Sequence, residues 1–153
     1  MQQSLTVKAN RETNLGVDYF CPASDFKDIV VVVPAIGVKK KFYEKFARYL
    51  AGENIGVYTF DYSGIGSSKP QSLRGFKATV SDWGEVDLEA MLQFARQQHP
   101  EKHLHLITHS GGGMLMGLAP TAQKAKSILT VATPRGTVHD WSKTHCQRAC
   151  DRR

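Results

Sequence analysis

Residues 106–113 read Leu-Ile-Thr-His-Ser-Gly-Gly-Gly, an apolar, β-branched run followed by a serine and three glycines. This stretch, called the elbow below, predicts a strand that turns abruptly into a helix with Ser110 at the apex. Such a turn strains the serine backbone, and side chains on its neighbours would collide there. The glycines relieve the collision and leave backbone N–H groups free to face a substrate. The elbow therefore predicts a nucleophilic serine and acyl transfer; the alternative is a serine that merely occupies a turn in the core.

Strands and helices alternate on both sides of the elbow. Apolar, β-branched runs predict four buried strands of a parallel sheet, at residues 29–33, 55–60, 104–108 and 127–132. Apolar spacing, capping residues and the glycines predict the helices between them, at residues 40–51, after an N-cap at Asp82 with Glu85, and at 111–118. Residues 4–9 and 15–20 predict two further strands joined by a turn. The order predicts an α/β fold with right-handed parallel crossovers and an antiparallel N-terminal hairpin.

The composition is that of an ordinary globular domain. With 153 residues, the chain is long enough for one domain with a real core. Its apolar fraction of 41% and charged fraction of 22% are typical of soluble proteins. The net charge of +6 is scattered, and its only run, residues 39–41, is expected on a solvated helix turn. We therefore expect no nucleic-acid partner.

The cysteines and the apolar stretches bear on the compartment. Cys21, Cys146 and Cys150 are too few and too unevenly spaced for a disulfide framework, which favours a reducing compartment. Residues 1–8 are polar with scattered apolar side chains, unlike a secretory leader. The longest apolar stretch, residues 29–38, is too short to span a membrane and contains Pro34. We expect a soluble, cytoplasmic protein.

A nucleophilic serine needs a base, an acid that orients the base, and hydrogen-bond donors for the developing oxyanion. The N–H of Gly111, directly after the serine, is one natural donor. The second donor is expected from the loop after an earlier central strand, where residues 34–37 read Pro-Ala-Ile-Gly and Ile36 offers its N–H. Ser110, Gly111 and Ile36 are thus the candidate residues for a small-molecule acyl substrate.

A third motif, at residues 61–68, reads Asp-Tyr-Ser-Gly-Ile-Gly-Ser-Ser. In this order, the 34–37 loop, the 61–68 loop and the elbow resemble the α/β-hydrolase superfamily over about residues 13–133. The likeness is to predicted bacterial hydrolases near the serine aminopeptidases and monoacylglycerol lipases. Their motifs are His-Gly-x-Gly, Asp-x-Arg-Gly-x-Gly-x-Ser and Gly-x-Ser-x-Gly. The resemblance implies an α/β-hydrolase-type sheet and serine hydrolase activity on acyl esters or related acyl compounds.

The motifs match residue by residue, with departures. Asp61, Gly64, Gly66 and Ser68 fit the middle motif, where Ser63 replaces arginine, and Ser110 and Gly112 fit the elbow motif. His109 is a frequent occupant of the position before the serine, while Thr108 replaces the first elbow glycine and Pro34 with Ala35 replaces His-Gly. His109 and Gly112 are expected to support the elbow, and Asp61, Gly64 and Gly66 the 61–68 loop. Asp61 is expected to be structural, because the family's acid follows the serine.

The largest departure comes after residue 133. In the family, the acid and then the histidine follow the elbow, each at the end of a further strand. No such strands are predicted here, and Asp140, His139 and His145 lie too close together in sequence to replace them. We predict a partial hydrolase domain over residues 1–133, incomplete at the C-terminal edge of its sheet, and an irregular basic tail over 134–153. The exposed edge is expected to permit self-association.

Two alternatives to an active enzyme stay open at this point. The first is a truncated or frame-shifted, inactive hydrolase, and the second is a non-catalytic small-molecule binding module. A metal or cofactor is not expected. His103 and His105 fall on one face of a strand with His99 nearby, but the sequence offers no carboxylate or cysteine to complete a set. His139, His145, Cys146 and Cys150 fit no usual zinc spacing, and the 61–68 loop lacks the third glycine of a dinucleotide site.

Overall fold

The computed structural model describes residues 1–10, 13–72 and 74–134. Its strands are β1 (Gln2–Lys8), β2 (Asn14–Phe20), β3 (Asp28–Val33), β4 (Gly56–Phe60), β5 (His103–His109) and β6 (Ser127–Val131). Its α-helices are α1 (Glu44–Gly52), α2 (Val80–Asp82), α3 (Glu89–Gln98) and α4 (Gly112–Leu115). A π-helical segment (Trp83–Leu88) joins α2 to α3. Turns of 3-10 helix lie at Lys40–Tyr43, Gly66–Ser68, Met116–Leu118 and Pro120–Lys124.

The six strands form one mixed sheet in the order β1-β2-β4-β3-β5-β6. Strands β4, β3, β5 and β6 are parallel, whereas β1 pairs antiparallel with β2 and β2 with β4. The predicted α/β class, with its antiparallel N-terminal hairpin, is confirmed. Because the parallel strands share a direction, the loops after β3, β4 and β5 all leave the same edge of the sheet. That edge carries the 34–37 loop, the 61–68 loop and Ser110.

Helices cover the two faces of the sheet. One apolar cluster packs α3 against β3 and β5, and includes Leu88, Leu92, Val31 and Leu106. The other packs α1 against the opposite face and includes Ala47, Val30 and Val57. Burying one valine or leucine side chain contributes about 1.5–3 kcal/mol, so this core fixes the strands that carry the loops. None of the helices among the described residues has the length and apolar character needed to cross a membrane.

Three sequence predictions were wrong in detail. The strand over residues 127–132 was expected to be buried, whereas all five residues of β6 are exposed, because β6 is an edge strand of the sheet. The helix after the 61–68 loop is capped by Thr79 rather than Asp82, because Asp82 occupies the third helical position and its carboxylate accepts the Thr79 N–H at 2.6 Å. The two residues form a capping box. Lys40, which was expected on a solvated turn, forms an ion pair with Asp18 and has only 14% of its side chain exposed.

Candidate active site

Ser110 lies at the turn between β5 and α4, in a strained backbone conformation. Its φ is 50°, a left-handed value that costs a residue with a side chain about 1–3 kcal/mol. Two backbone hydrogen bonds hold it there: its N–H donates to Val131 O at 2.8 Å, and its carbonyl accepts the Gly113 N–H at 3.0 Å. The Ser110 side chain is half-buried. The hydroxyl therefore sits at a rigid apex on the edge of the sheet.

Two glycines of the elbow pack directly against the end of β3 and the 34–37 loop. A Cβ on Gly112 would lie 2.5 Å from Pro34 O and 2.8 Å from Val33 O, both backbone atoms. A Cβ on Gly111 would lie 2.6 Å from Ile36 Cδ1. The absence of side chains here lets the elbow approach the loop closely. The structure thus brings Ser110, Gly111 and Ile36 to one place.

The 34–37 loop is a tight turn. The Val38 N–H donates to Ala35 O at 3.0 Å, and Gly37 has a φ of 77°, which suits the third position of such a turn. Within residues 1–10, 13–72 and 74–134, the N–H groups of Ile36 and Gly111 donate to no protein acceptor. Unpaired N–H groups beside a hydroxyl are the donors that an oxyanion needs.

Tyr43 connects the 34–37 loop to the elbow. Its hydroxyl accepts the Ala35 N–H at 2.9 Å and lies 2.9 Å from His109 Nδ1. A phenol oxygen can accept two hydrogen bonds and donate one, so the contact with Nδ1 forms with either tautomer of His109. Burial raises the pKa of Tyr43, so the phenol stays protonated. Sequence reasoning missed this residue, which looked like one of several apolar positions on a helix.

Asp61 shapes the 61–68 loop. Its side chain is buried, with Oδ1 accepting the Lys40 N–H at 2.7 Å and Oδ2 accepting the Ser67 N–H and hydroxyl at 2.8 Å each. Gly66, at φ 48°, leaves room for this carboxylate, since a Cβ there would lie 2.3 Å from Oδ2. Gly64 is also left-handed, at φ 80°. Asp61 is therefore held by loop hydrogen bonds.

A second buried carboxylate, missed from the sequence, anchors the same loop. Asp87 accepts hydrogen bonds from the Ser63 N–H, at 2.7 Å, and from the Ser63 hydroxyl. Burial raises the pKa of Asp87, while the bonds from Ser63 oppose that shift. Trp83 Nε1 donates to Ser63 O at 3.1 Å, and the Trp83 ring stacks on the Tyr62 ring with 5.1 Å between the ring centroids. Ser63, which replaces the arginine of the family motif, thus ties the loop to the helical segment behind it.

A histidine base for Ser110, which acyl transfer would need, is not identified among the described residues. His109 is the histidine that flanks Ser110, and its Nδ1 is engaged by Tyr43. His103 and His105 lie at the other end of β5. The tail over residues 134–153 lies outside the described residues, apart from Pro134. It contains His139, Asp140 and His145, which were not expected to complete a triad, and the four-residue zinc pattern.

An apolar cavity of about 350 Å³ lies beside His109 and Tyr43. It is formed by aliphatic and aromatic side chains of β3, β5, β6 and the segment around α1: Val32, Phe42, Phe46, Ile107, Leu129 and Val131. The Phe42 ring stacks on the His109 ring, with 6.2 Å between the ring centroids. This volume falls at the lower end of the range for small-molecule pockets, about 300–1,000 Å³.

Comparison with known proteins places this site in context. A sequence profile of the serine aminopeptidase family, S33, matches residues 24–138. No curated protein matches the chain. The chain resembles a thermostable carboxyl esterase from Bacillus coagulans, with a TM-score of 0.71 and 17% identity over 84% of this chain and 43% of that one.

Two further structures share the fold. An α/β serine hydrolase without a lid from Xanthomonas campestris gives a TM-score of 0.70 and 23% identity over 93% of this chain and 65% of that one. A soluble variant of monoglyceride lipase from Saccharomyces cerevisiae gives a TM-score of 0.68 and 15% identity, over 85% of this chain and 43% of that one. The chain thus spans between 43% and 65% of the length of these three proteins. At these identities the likeness concerns the fold.

Proposed function

Because this chain belongs to the serine aminopeptidase S33 family of α/β-hydrolases, we propose that it hydrolyses acyl esters or related acyl compounds through Ser110. The proposal rests on the packing of the elbow, at Gly111, against Ile36 of the 34–37 loop, where both residues have N–H groups that donate to no acceptor among the described residues. A hydroxyl at a strained turn and donors beside it are the parts that acyl transfer requires.

In the proposed reaction, Ser110 Oγ attacks the acyl carbon and a histidine base takes the hydroxyl proton. The acyl oxygen becomes negatively charged and accepts hydrogen bonds from the Ile36 and Gly111 N–H groups. One such donor is worth about 10²–10³ in kcat. The carbon–oxygen bond to the leaving alcohol breaks, the alcohol takes the proton, and water then hydrolyses the acyl-serine. No residue for this base was identified from the sequence.

A second candidate is a non-catalytic module that binds a small apolar molecule. It is supported by the apolar cavity of about 350 Å³ beside His109, and by the engagement of that histidine with Tyr43. The two candidates differ in the role of Ser110. Binding of an acyl ligand that Ser110→Ala leaves unchanged, without turnover by the natural chain, would favour the binding module.

Covalent labelling with a fluorophosphonate probe tests the enzymatic proposal. The probe reacts with an activated serine hydroxyl, so the natural chain is expected to gain one adduct mass and Ser110→Ala none. Ser81→Ala is the matched control, since Ser81 is exposed on α2, and it should label like the natural chain. Absence of labelling in the natural chain, or equal labelling of Ser110→Ala, counts against the proposal.

Tyr43→Phe is expected to lower kcat for ester hydrolysis about tenfold with little change in KM. The substitution removes both hydrogen bonds of the hydroxyl, so the 34–37 loop is no longer tied to the elbow. Tyr49→Phe is the control, because Tyr49 lies on α1 with 63% of its surface exposed. Steady-state kinetics of the two variants decides the point. Equal kcat values in both would show that Tyr43 does not position the loop.

A further inference from the structure

Three potential metal ligands meet at the start of β5, far from Ser110. His103 and His105 are two residues apart on this strand, so their side chains share a face. The register of β3 against β5 pairs Asp28 with His103. A carboxylate for these histidines was not expected from the sequence. This expectation was wrong, because strand pairing places Asp28 beside His103, 75 residues away along the chain.

The spacing of the donor atoms suits a tetrahedral ion. One Asp28 oxygen, Oδ1, lies 3.1 Å from His103 Nδ1 and 3.0 Å from His105 Nε2. One ligand atom from each of the three residues lies within 4.8 Å of the other two. Zinc bonds of about 2.0–2.1 Å in a tetrahedron place ligand atoms roughly 3.3 Å apart. Small side-chain movements therefore convert the cluster into a three-ligand metal site.

The orientation of His105 is fixed in the way that metal-binding histidines require. Its Nδ1 lies 2.7 Å from the Ser127 hydroxyl on β6, so Nε2 is the nitrogen turned toward Asp28. Without a metal, Nε2 donates to the Asp28 carboxylate and Nδ1 accepts the Ser127 hydroxyl proton. A metal on Nε2 would move the ring proton to Nδ1, where the Ser127 oxygen can accept it and hold the ring plane. His105 is the least exposed of the three ligands, with 20% of its side chain accessible, against 47% for His103 and 43% for Asp28.

One cation already competes for this position. Lys126 Nζ lies 3.2 Å from His103 Nδ1, where a metal ion would bind that nitrogen. An ammonium beside a metal site repels the ion, so Lys126 is expected to weaken binding rather than to forbid it. The long side chain of lysine is free to swing toward solvent when an ion arrives.

We propose that Asp28, His103 and His105 bind one Zn²⁺, with water as the fourth ligand. Two imidazole nitrogens and a carboxylate oxygen are donors that zinc accepts, and three protein ligands plus water is a common zinc arrangement. The site is about 20 Å from Ser110, the length of six strand residues at about 3.3 Å each. Zinc here would join β3 to β5 and stabilise the sheet without taking part in acyl chemistry.

The test measures Zn²⁺ binding by calorimetry and Co²⁺ binding by visible absorption, on full-length, tag-free protein. All measurements use a background that lacks the other candidate ligands, with the substitutions His139→Gln, His145→Gln, Cys146→Ser and Cys150→Ser. We expect one ion per chain, Co²⁺ bands without thiolate charge transfer, and a higher melting temperature with Zn²⁺. Absence of saturable binding would overturn the proposal.

Four variants in this background locate the ion. Asp28→Asn and His105→Gln are each expected to weaken the affinity for Zn²⁺ by at least about 10–100-fold. That is the loss observed when a residue that only hydrogen-bonds to a metal ligand is replaced, and here a ligand itself is replaced. Lys126→Gln is expected to bind Zn²⁺ more tightly. Glu101→Gln, an exposed carboxylate outside the cluster, should bind like the background. Thermal melts without metal check that each variant folds. Unchanged affinity in Asp28→Asn and His105→Gln would show that the ion binds elsewhere.

Discussion

Replacing Ser110 with alanine is expected to lower kcat/KM for an activated aryl ester, such as p-nitrophenyl butyrate, by at least about 10³-fold. Alanine removes the only atom that forms the bond to the acyl carbon. The donors at Ile36 and Gly111 remain, so a small residual acceleration over buffer is expected from binding and oxyanion stabilisation. The nitrophenolate leaves without the help of an acid, which makes this substrate sensitive to the nucleophile itself.

The kinetic comparison needs a control for folding. Alanine lacks the hydroxyl but carries a Cβ, as serine does, so the backbone strain at φ 50° stays similar. The circular dichroism spectrum and the melting temperature of Ser110→Ala should therefore be close to those of the natural chain. Ser81→Ala should retain full turnover. If Ser110→Ala retains the turnover of the natural chain, another group performs the hydrolysis and the assignment of the nucleophile is wrong.

Gly112→Ala is expected to lower the free energy of unfolding by about 1–3 kcal/mol or more. The added Cβ would meet Pro34 O at 2.5 Å and Val33 O at 2.8 Å. Neither atom belongs to a flexible side chain, so α4 or the end of β3 has to shift. The same shift separates the elbow from the 34–37 loop, and fluorophosphonate labelling should slow along with the loss of stability.

Gly117→Ala is the matched control for this prediction. Gly117 lies exposed in the 3-10 turn after α4, and a Cβ there would meet nothing within 4 Å. Alanine at an exposed helical position is neutral or stabilising by up to about 1 kcal/mol. Urea denaturation followed by circular dichroism compares the two variants. Equal midpoints and slopes would mean that the elbow does not need a glycine at position 112.

Much of the fold was predictable because its signals are local. The continuous apolar run that became β3 needed no knowledge of its partners, and the glycines after Ser110 marked the turn at φ 50°. Helix bounds were less predictable. Thr79 and Asp82 are both good capping residues, and only the actual hydrogen bonds show which one precedes the helix.

The parts of the site that escaped prediction depend on pairing across the chain. Tyr43 bonds to His109 over 66 residues, and nothing in its own segment distinguishes it from the other aromatic residues of that helix. Asp87 meets Ser63 over 24 residues, in a position that looked like one turn of an amphipathic helix. Asp28 joins His103 only through the register of β3 against β5. Such contacts follow from packing and strand order, which a linear pattern does not contain.

Trapping the acyl intermediate tests whether Ser110 is the nucleophile. The natural chain is mixed with p-nitrophenyl butyrate, quenched in acid during the first turnovers, digested and analysed by mass spectrometry. We expect a butyryl group on the peptide that contains Ser110, with fragment ions placing it on that residue, and none in Ser110→Ala. A butyryl group on another residue, together with an unmodified Ser110 in a chain that turns over the ester, would contradict this expectation.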